Sequence, residues 1–274
     1  MKTILVPTDF SDNAKNALNY ATELAKLTKA KLILFHAFHI PTVPSDTPFV
    51  LPIDEIKKDT LTALNKIKKH LIIKNGKELN IECKTSLGFA VDEINGLVTE
   101  EKIDLIVMGV RGAGYLSEKL IGSVTTTLIR KAKCPVLAIN DKVKFKAIKK
   151  IVIASDYQKI DDKSILNPIK EFVKLFKSHI YILNVSSAGE LISATKKTAG
   201  GTQLVNLFEG LSHSFNFIEN EDIIEGINEF VNEHNIDLIV MIPRKHTLFE
   251  NIFKERNTKR MAFHTLTPIL ALHE

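Results

Sequence analysis

A chain of 274 residues exceeds one typical domain of about 100–200 residues, and with 45% hydrophobic and 25% charged residues it has the material for more than one core. No apolar run approaches the roughly 20 residues that span a bilayer, and residues 1–6 lead straight into a strand-like run, so no membrane partner and a cytoplasmic location are expected. The net charge of +5, from 37 Lys and Arg against 32 Asp and Glu, is scattered over helical patterns without interleaved aromatics, which argues against nucleic acid.

In chain order, the first half alternates short apolar runs with longer helical patterns. Strands are predicted near residues 3–6, 31–38, 81–85, 103–108 and 135–139, with helices over about 12–29, 53–75, 89–101 and 123–133. Ala14, Ala17, Leu18, Ala21, Leu24 and Ala25 recur at helical spacing, so the first helix covers a sheet. Cys83 and Cys134 lack CxxC or His/Cys spacing and read as small core residues. The proline-rich run 39–52 reads as an irregular loop that either covers a ligand or bridges to the next helix. Residues 140–150, NDKVKFKAIKK, form a basic connector.

The second half repeats the first. IDLIVM occurs at 103–108 and again at 236–241, an offset of 133 residues that also aligns CPVLAIN (134–140) with TPILALH (267–273). At the start, TILVPTDF (3–10) resembles KIVIASDY (150–157), setting Asp9 against Asp156. Strands are therefore expected near 150–154, 179–185, 214–218, 236–241 and 268–272, and the domains as 1–142 and 147–274. The pattern implies α/β architecture: two tandem doubly wound domains, each a five-stranded parallel sheet in order 3-2-1-4-5 with helices on both faces. In that order Asp9, after strand one, and the glycine loop, after strand four, border one crevice, although about 100 residues separate them.

Between strand four and the next helix, MGVRGAGYLSEKLIGSVT (108–125) matches neither GxxxxGK[ST] nor GxGxxG. It contains G-x2-G-x9-G-S, formed by Gly109, Gly112, Gly122 and Ser123. Such a loop can bring backbone close to a ligand, with Ser123 as helix N-cap, the amides of Val124 and Thr125 facing an anion, and the Thr125 hydroxyl as a further donor. The same residues could instead make a simple turn and helix start. In the second half Gly109 becomes Ile242, Gly112 becomes Lys245, Gly122 becomes Glu255 and Ser123 becomes Arg256. Side chains and a carboxylate then occupy the places where phosphate would lie, so this half is expected not to bind in the same way. Asp156 there reads as a loop or capping aspartate.

PTDFS (7–11), IDLIVMG, the G-x2-G-x9-G-S spacing and PVLAI (135–139) together resemble the universal stress protein family in a tandem two-domain form, across essentially the whole chain. The resemblance implies ATP, ADP or AMP as ligand, with Mg or Mn. It places Pro7, Thr8, Asp9 and Ala37 by the adenosine, Met108, Gly109 and Gly112 along the ribose and phosphate path, and Gly122, Ser123, Val124 and Thr125 at the phosphates. It further implies strand five pairing between domains, so the expected assembly is a homodimer or an intrachain pseudo-dimer, with protein partners in a regulatory or stress-survival role.

No base for activating water is evident, so hydrolysis is expected to be slow or absent. A nucleotide-free scaffold acting through partners, or an ATP-using enzyme of the wider adenine-nucleotide hydrolase-like group, are the alternative readings. The nine histidines, His36 and His179 among them, lack ligand spacing, so no metal site of their own is expected. Asp104 and Asp237, at matching places before apolar strands, read as a repeated structural device. Gly200-Gly201 breaks a helical pattern in the second half.

Overall fold

The computed structural model describes residues 1–39, 52–76, 78–110, 123–155, 160–186, 202–242 and 266–273. Its elements run β1 (Thr3–Pro7), α1 (Asp12–Thr28), β2 (Lys31–Phe38), α2 (Ile53–Asn75), β3 (Ile81–Leu87), α3 (Ala90–Glu100), β4 (Leu105–Val110), α4 (Ser123–Lys131) and β5 (Val136–Asn140). The second half supplies β6 (Lys150–Ala154), α5 (Asn167–Phe176) after a 3-10 turn at Lys163–Leu166, β7 (His179–Ser186), β8 (His213–Glu219), α6 (Ile223–His234), β9 (Leu238–Met241) and β10 (Ile269–Ala271).

Each half has the order 3-2-1-4-5 expected from its βαβ pattern, but the two sheets are one: β3-β2-β1-β4-β5-β10-β9-β6-β7-β8. The join is the antiparallel pair of fifth strands, with Ile269 opposite Ala138, Leu270 opposite Leu137 and Ala271 opposite Val136. The other strand pairs are parallel. One antiparallel step reverses the second half, so the carboxyl ends of its strands open at the opposite end of the sheet from those of the first.

Strand alternation sorts the core into two layers. Ile4, Val6, Leu32, Leu34, Leu105 and Val107 point to the face covered by α1, α2 and α5, in one cluster continuous through Ile151, Ile153 and Leu270. Leu5, Ile33, Phe35, Ile106 and Met108 point to the face covered by α3, α4 and α6. Helix α1 forms because its apolar stripe matches the first layer and both ends are closed. Ser11 accepts from the Ala14 amide at 3.3 Å, and Lys29, left-handed at φ 56°, returns its amide to Ala25.

The connector is more than a tether. Val143 and Ile148 are buried, the Phe145 ring lies 5.0 Å from Tyr20 of α1 and 6.3 Å from Phe176 of α5, and Asn16 Nδ2 donates to the carbonyls of Asn140 and Val143 at 3.0 and 2.9 Å. Burial pushes the Tyr20 hydroxyl well above its ordinary pKa, with the charge of Asp237 adding to the effect.

IDLIVM begins its strand two residues later than expected in both copies, at Leu105 and Leu238. The reason is the aspartate. Asp104 Oδ2 accepts from the amides of Lys2 and Thr3 at 2.5 and 2.9 Å, and Asp237 Oδ2 from those of Lys149 and Lys150 at 2.8 and 3.0 Å. Each carboxylate closes the start of the neighbouring first strand, which is the repeated structural role expected of the pair.

Candidate functional site

Strands β1 and β4 are neighbours, Ile4 opposite Leu105 and Leu5 opposite Ile106, while the chain leaves β1 toward β2 on one side and β4 toward β5 on the other. The strand order therefore reverses between them, and their carboxyl ends open a crevice.

The β1–α1 turn is built from its own polar groups. The Thr8 amide donates to the Phe35 carbonyl at 2.8 Å, and the Thr8 carbonyl faces His36 Nδ1 at 2.6 Å. Because a carbonyl only accepts, His36 carries its proton on Nδ1. Phe10 adopts φ 65° and leans on the His36 ring at 4.8 Å. Exposed Asp9 accepts from the Ser11 amide at 3.0 Å and the Ser11 hydroxyl at 2.5 Å, which fixes its carboxylate at the positive end of α1. Ala37 is half-buried at the end of β2, opposite Ser86.

Across the crevice, Gly109 is required by packing. A Cβ there would lie 2.5 Å from the Asn13 carbonyl oxygen and 3.1 Å from the Ala14 nitrogen. The missing side chain points at the first turn of α1, so this glycine lets the β1–α1 turn and the end of β4 meet. Met108, on the other face, buries its side chain in the core. Gly112 and Gly122 lie outside the described residues.

Two expectations about α4 need correcting. Ser123 is already helical, so it does not cap α4 from outside. The Thr125 hydroxyl donates to the Gly109 carbonyl at 3.2 Å, and its side chain is buried, so it ties α4 to β4 instead of standing ready as a ligand donor. What the first turn can offer is backbone: exposed Ser123 and half-buried Val124 precede Thr125, and no acidic residue stands there. Chemically, the crevice pairs a carboxylate acceptor on one rim with helix-terminal amides, suited to an anion, on the other.

In the second half two hydrogen bonds at the end of β6 repeat those at the end of β1. The Ser155 amide donates to the Leu183 carbonyl at 2.8 Å, and Asn184 Nδ2 donates to the Ser155 carbonyl at 2.9 Å, repeating the Thr8, Phe35 and His36 arrangement. Ile242, in place of Gly109, packs partly buried against the core. Asp156, Lys245, Glu255, Arg256 and Gly200-Gly201 lie outside the described residues, as does nearly all of 39–52.

Sequence reading missed the positioning residues. His36, Ser11 and Asn16 fix the turn and its helix; His36 was signalled as a polar residue interrupting the apolar run LILFHAF, whereas Ser11 and Asn16 stand among polar neighbours and carry no such signal. Cys134 is buried, its thiol pushed up to about 12 by burial. Cys83 is only partly a core residue: it packs half-buried against the core from outermost β3, where desolvation also raises its pKa. His179 joins Ser212 Oγ at 2.7 Å and Ser214 Oγ at 3.0 Å.

Among the described residues, no helix is long and apolar enough to cross a membrane. The model of the universal stress protein family matches residues 1–140. A universal stress protein of Methanocaldococcus jannaschii is 31% identical over 155 residues, 52% of this chain and 96% of that one. One from Mycobacterium tuberculosis is 33% identical over 144 residues, 51% of this chain and 96% of its own. The crystal structure of a universal stress protein from Archaeoglobus fulgidus superposes with a TM-score of 0.74 at 21% identity, covering 98% of this chain and 97% of that chain, which extends the likeness of fold over both halves. With more than half its length matched by the family model, the chain belongs to the universal stress protein family.

Proposed function

We propose that residues 1–142 bind an adenine nucleotide, ATP or its ADP or AMP counterparts, and that binding serves regulation or stress survival with little or no hydrolysis. The observation that carries this reading is the contact between the β1–α1 turn and the end of β4 at Gly109, which brings the Asp9 rim and the first turn of α4 to one crevice. In this reading Pro7, Thr8, Asp9 and Ala37 face the adenosine, Asp9 accepting from hydroxyls. Met108, Gly109, Gly112, Gly122, Ser123, Val124 and Thr125 line the phosphate path, where Thr125 contributes backbone.

Among the described residues, no group of three His, Cys, Asp or Glu side chains is gathered for a metal. An accompanying Mg or Mn ion would therefore take its ligands chiefly from phosphate and water and would neutralise phosphate charge. Asp9, held by Ser11, is not placed as a base, which supports weak or absent turnover.

Residues 147–274 are the degenerate partner and do not bind nucleotide in this way. Ile242 at the place of Gly109 favours a supporting role for that half, in which the antiparallel β5–β10 pair makes an intrachain pseudo-dimer. Isothermal titration of the full chain with ATP, AMP and buffer tests the proposal. ATP or AMP should give a saturable signal that Gly122→Glu abolishes; no signal, or an unchanged one in the variant, would refute it.

A further inference from the structure

Strand β3 is the outermost strand on its side of the sheet. The Leu32 amide donates to the Asn80 carbonyl at 2.8 Å, and the Gly88 amide donates to the Phe38 carbonyl at 3.0 Å. Even-numbered residues therefore bond inward to β2, and the amides and carbonyls of Ile81, Cys83, Thr85 and Leu87 point off the edge. Along that edge runs a groove of about 550 Å³, with Phe35 at its base, Leu61 of α2 on one wall and Glu93, Gly96 and Glu100 of α3 on the other.

Three features of this groove are not explained by the fold. Gly96 sits in the middle of α3, where glycine costs about 1 kcal/mol relative to alanine, yet a Cβ there would meet nothing within 4 Å. Ser86 Oγ is buried beside the groove without a hydrogen-bond partner among the described residues. Glu93 and Glu100, on the same helical stripe as Gly96, make no ion pair among the described residues, whereas Lys84 opposite them is already held by Glu82 and Glu101.

We propose that β3 receives an extended peptide of a partner protein as an added strand, with basic side chains at alternate positions facing α3. Outward amides and carbonyls at Cys83 and Thr85 supply the ladder, and the open space over Gly96 admits the incoming backbone and a small side chain. Glu93 and Glu100 stand about 10 Å apart along the helix, within reach of long basic side chains that flank that residue on a strand whose same-face positions repeat at about 6.7 Å. A second copy fits poorly. The antiparallel register that pairs all seven residues of β3 with its own copy sets two Lys84 side chains opposite each other. This inference is independent of nucleotide binding.

The test uses the full chain and a fluorescein-labelled peptide, Lys-Thr-Val-Thr-Lys-Thr-Val-Thr, followed by anisotropy and amide hydrogen exchange. Binding is expected with Kd of about 10–100 μM, weakened about tenfold or more by Gly96→Leu and by Glu100→Lys, two exposed helix positions whose replacement leaves the fold intact. Exchange should slow at Cys83 and Thr85 and stay unchanged at Glu82 and Lys84. Four outcomes overturn the proposal: no saturable binding up to about 1 mM, equal binding by the peptide N-methylated on alternate amides, protection away from β3, or a concentration-dependent dimer that Gly96→Leu disperses, which would make a second copy the occupant.

Discussion

Gly109→Ala is the smallest change that separates a packing glycine from a merely permissive one. The added Cβ would fall 2.5 Å from the Asn13 oxygen, 2.6 Å from the Asn13 carbon and 3.1 Å from the Ala14 nitrogen. Favourable carbon contacts begin near 3.5 Å, so the first turn of α1 or the end of β4 must move by about 1 Å. All three obstructing atoms are backbone, so no rotamer change relieves the clash. Overpacking of this kind costs about 1–3 kcal/mol, which for a chain of this size lowers Tm by about 2–12 °C. Gly96→Ala is the matched control: nothing obstructs it, and the helix should gain about 0.5–1 kcal/mol. Thermal and urea unfolding of both variants beside the natural chain read the difference. A Gly109→Ala protein as stable as the natural one would show that α1 does not rest on β4 as described. If its ATP affinity were also unchanged, the β1–α1 turn would have no part in binding.

The other predictions concern the strand-closing aspartates and two half-buried histidines. Asp237→Ala removes a buried acceptor from two backbone amides and from Lys146 Nζ at 2.6 Å, and should lower unfolding free energy by about 2–3 kcal/mol in urea titration. Asp104→Ala, at the exposed equivalent, should cost about 1 kcal/mol. His273 is half-buried, with Nε2 at 3.0 Å from the Ile129 carbonyl and Nδ1 without a partner among the described residues, and desolvation holds its pKa below the ordinary 6.5. Between the folded and unfolded values the unfolded chain binds more protons, so stability is fully present above about pH 6.5 and is lost as pH falls through the lower folded value. Burial shifts His179 the same way. Urea midpoints measured from pH 8 to 5 should fall on the acid side, and His273→Asn, which installs the residue found at the matching position Asn140, should flatten the fall.

Most of the fold was legible because periodicity is local. The stripe of Ala14, Ala17, Leu18, Ala21, Leu24 and Ala25 marked α1, and the repeated IDLIVM marked β4 and β9 with an error of two residues at their starts. That error arose because Asp104 and Asp237 bond to a strand distant in sequence, which no local pattern records. The merging of two sheets was carried only by resemblance, since CPVLAIN and TPILALH read as ordinary buried strands whether they pair with each other or stand at two edges. At the candidate site, strand order placed Asp9 and Gly109 at the ends of neighbouring strands. The reason for Gly109 was not legible, because a glycine facing a helix turn and a glycine facing a ligand look alike in sequence. Thr125 reversed in the same manner: its hydroxyl is satisfied by a carbonyl 16 residues away.

The change from Gly109 in the first half to Ile242 in the second is a change in packing. In the first half the chain leaves β1 at Pro7 and is helical by Asp12; in the second it leaves β6 at Ala154, and among the described residues the next helical turn is Lys163–Leu166, with α5 proper starting at Asn167. The atoms that would collide with a Cβ at Gly109 are those of the first turn of α1. A side chain at that strand position and a helix turn laid against it are mutually exclusive. Ile242 supplies the side chain, partly buried against the core. The surviving hydrogen bonds of Ser155 with Leu183 and Asn184 are those that hold β6 to β7, so they persist without any ligand. Replacing Ile242 by glycine would consequently open a void where its side chain packs.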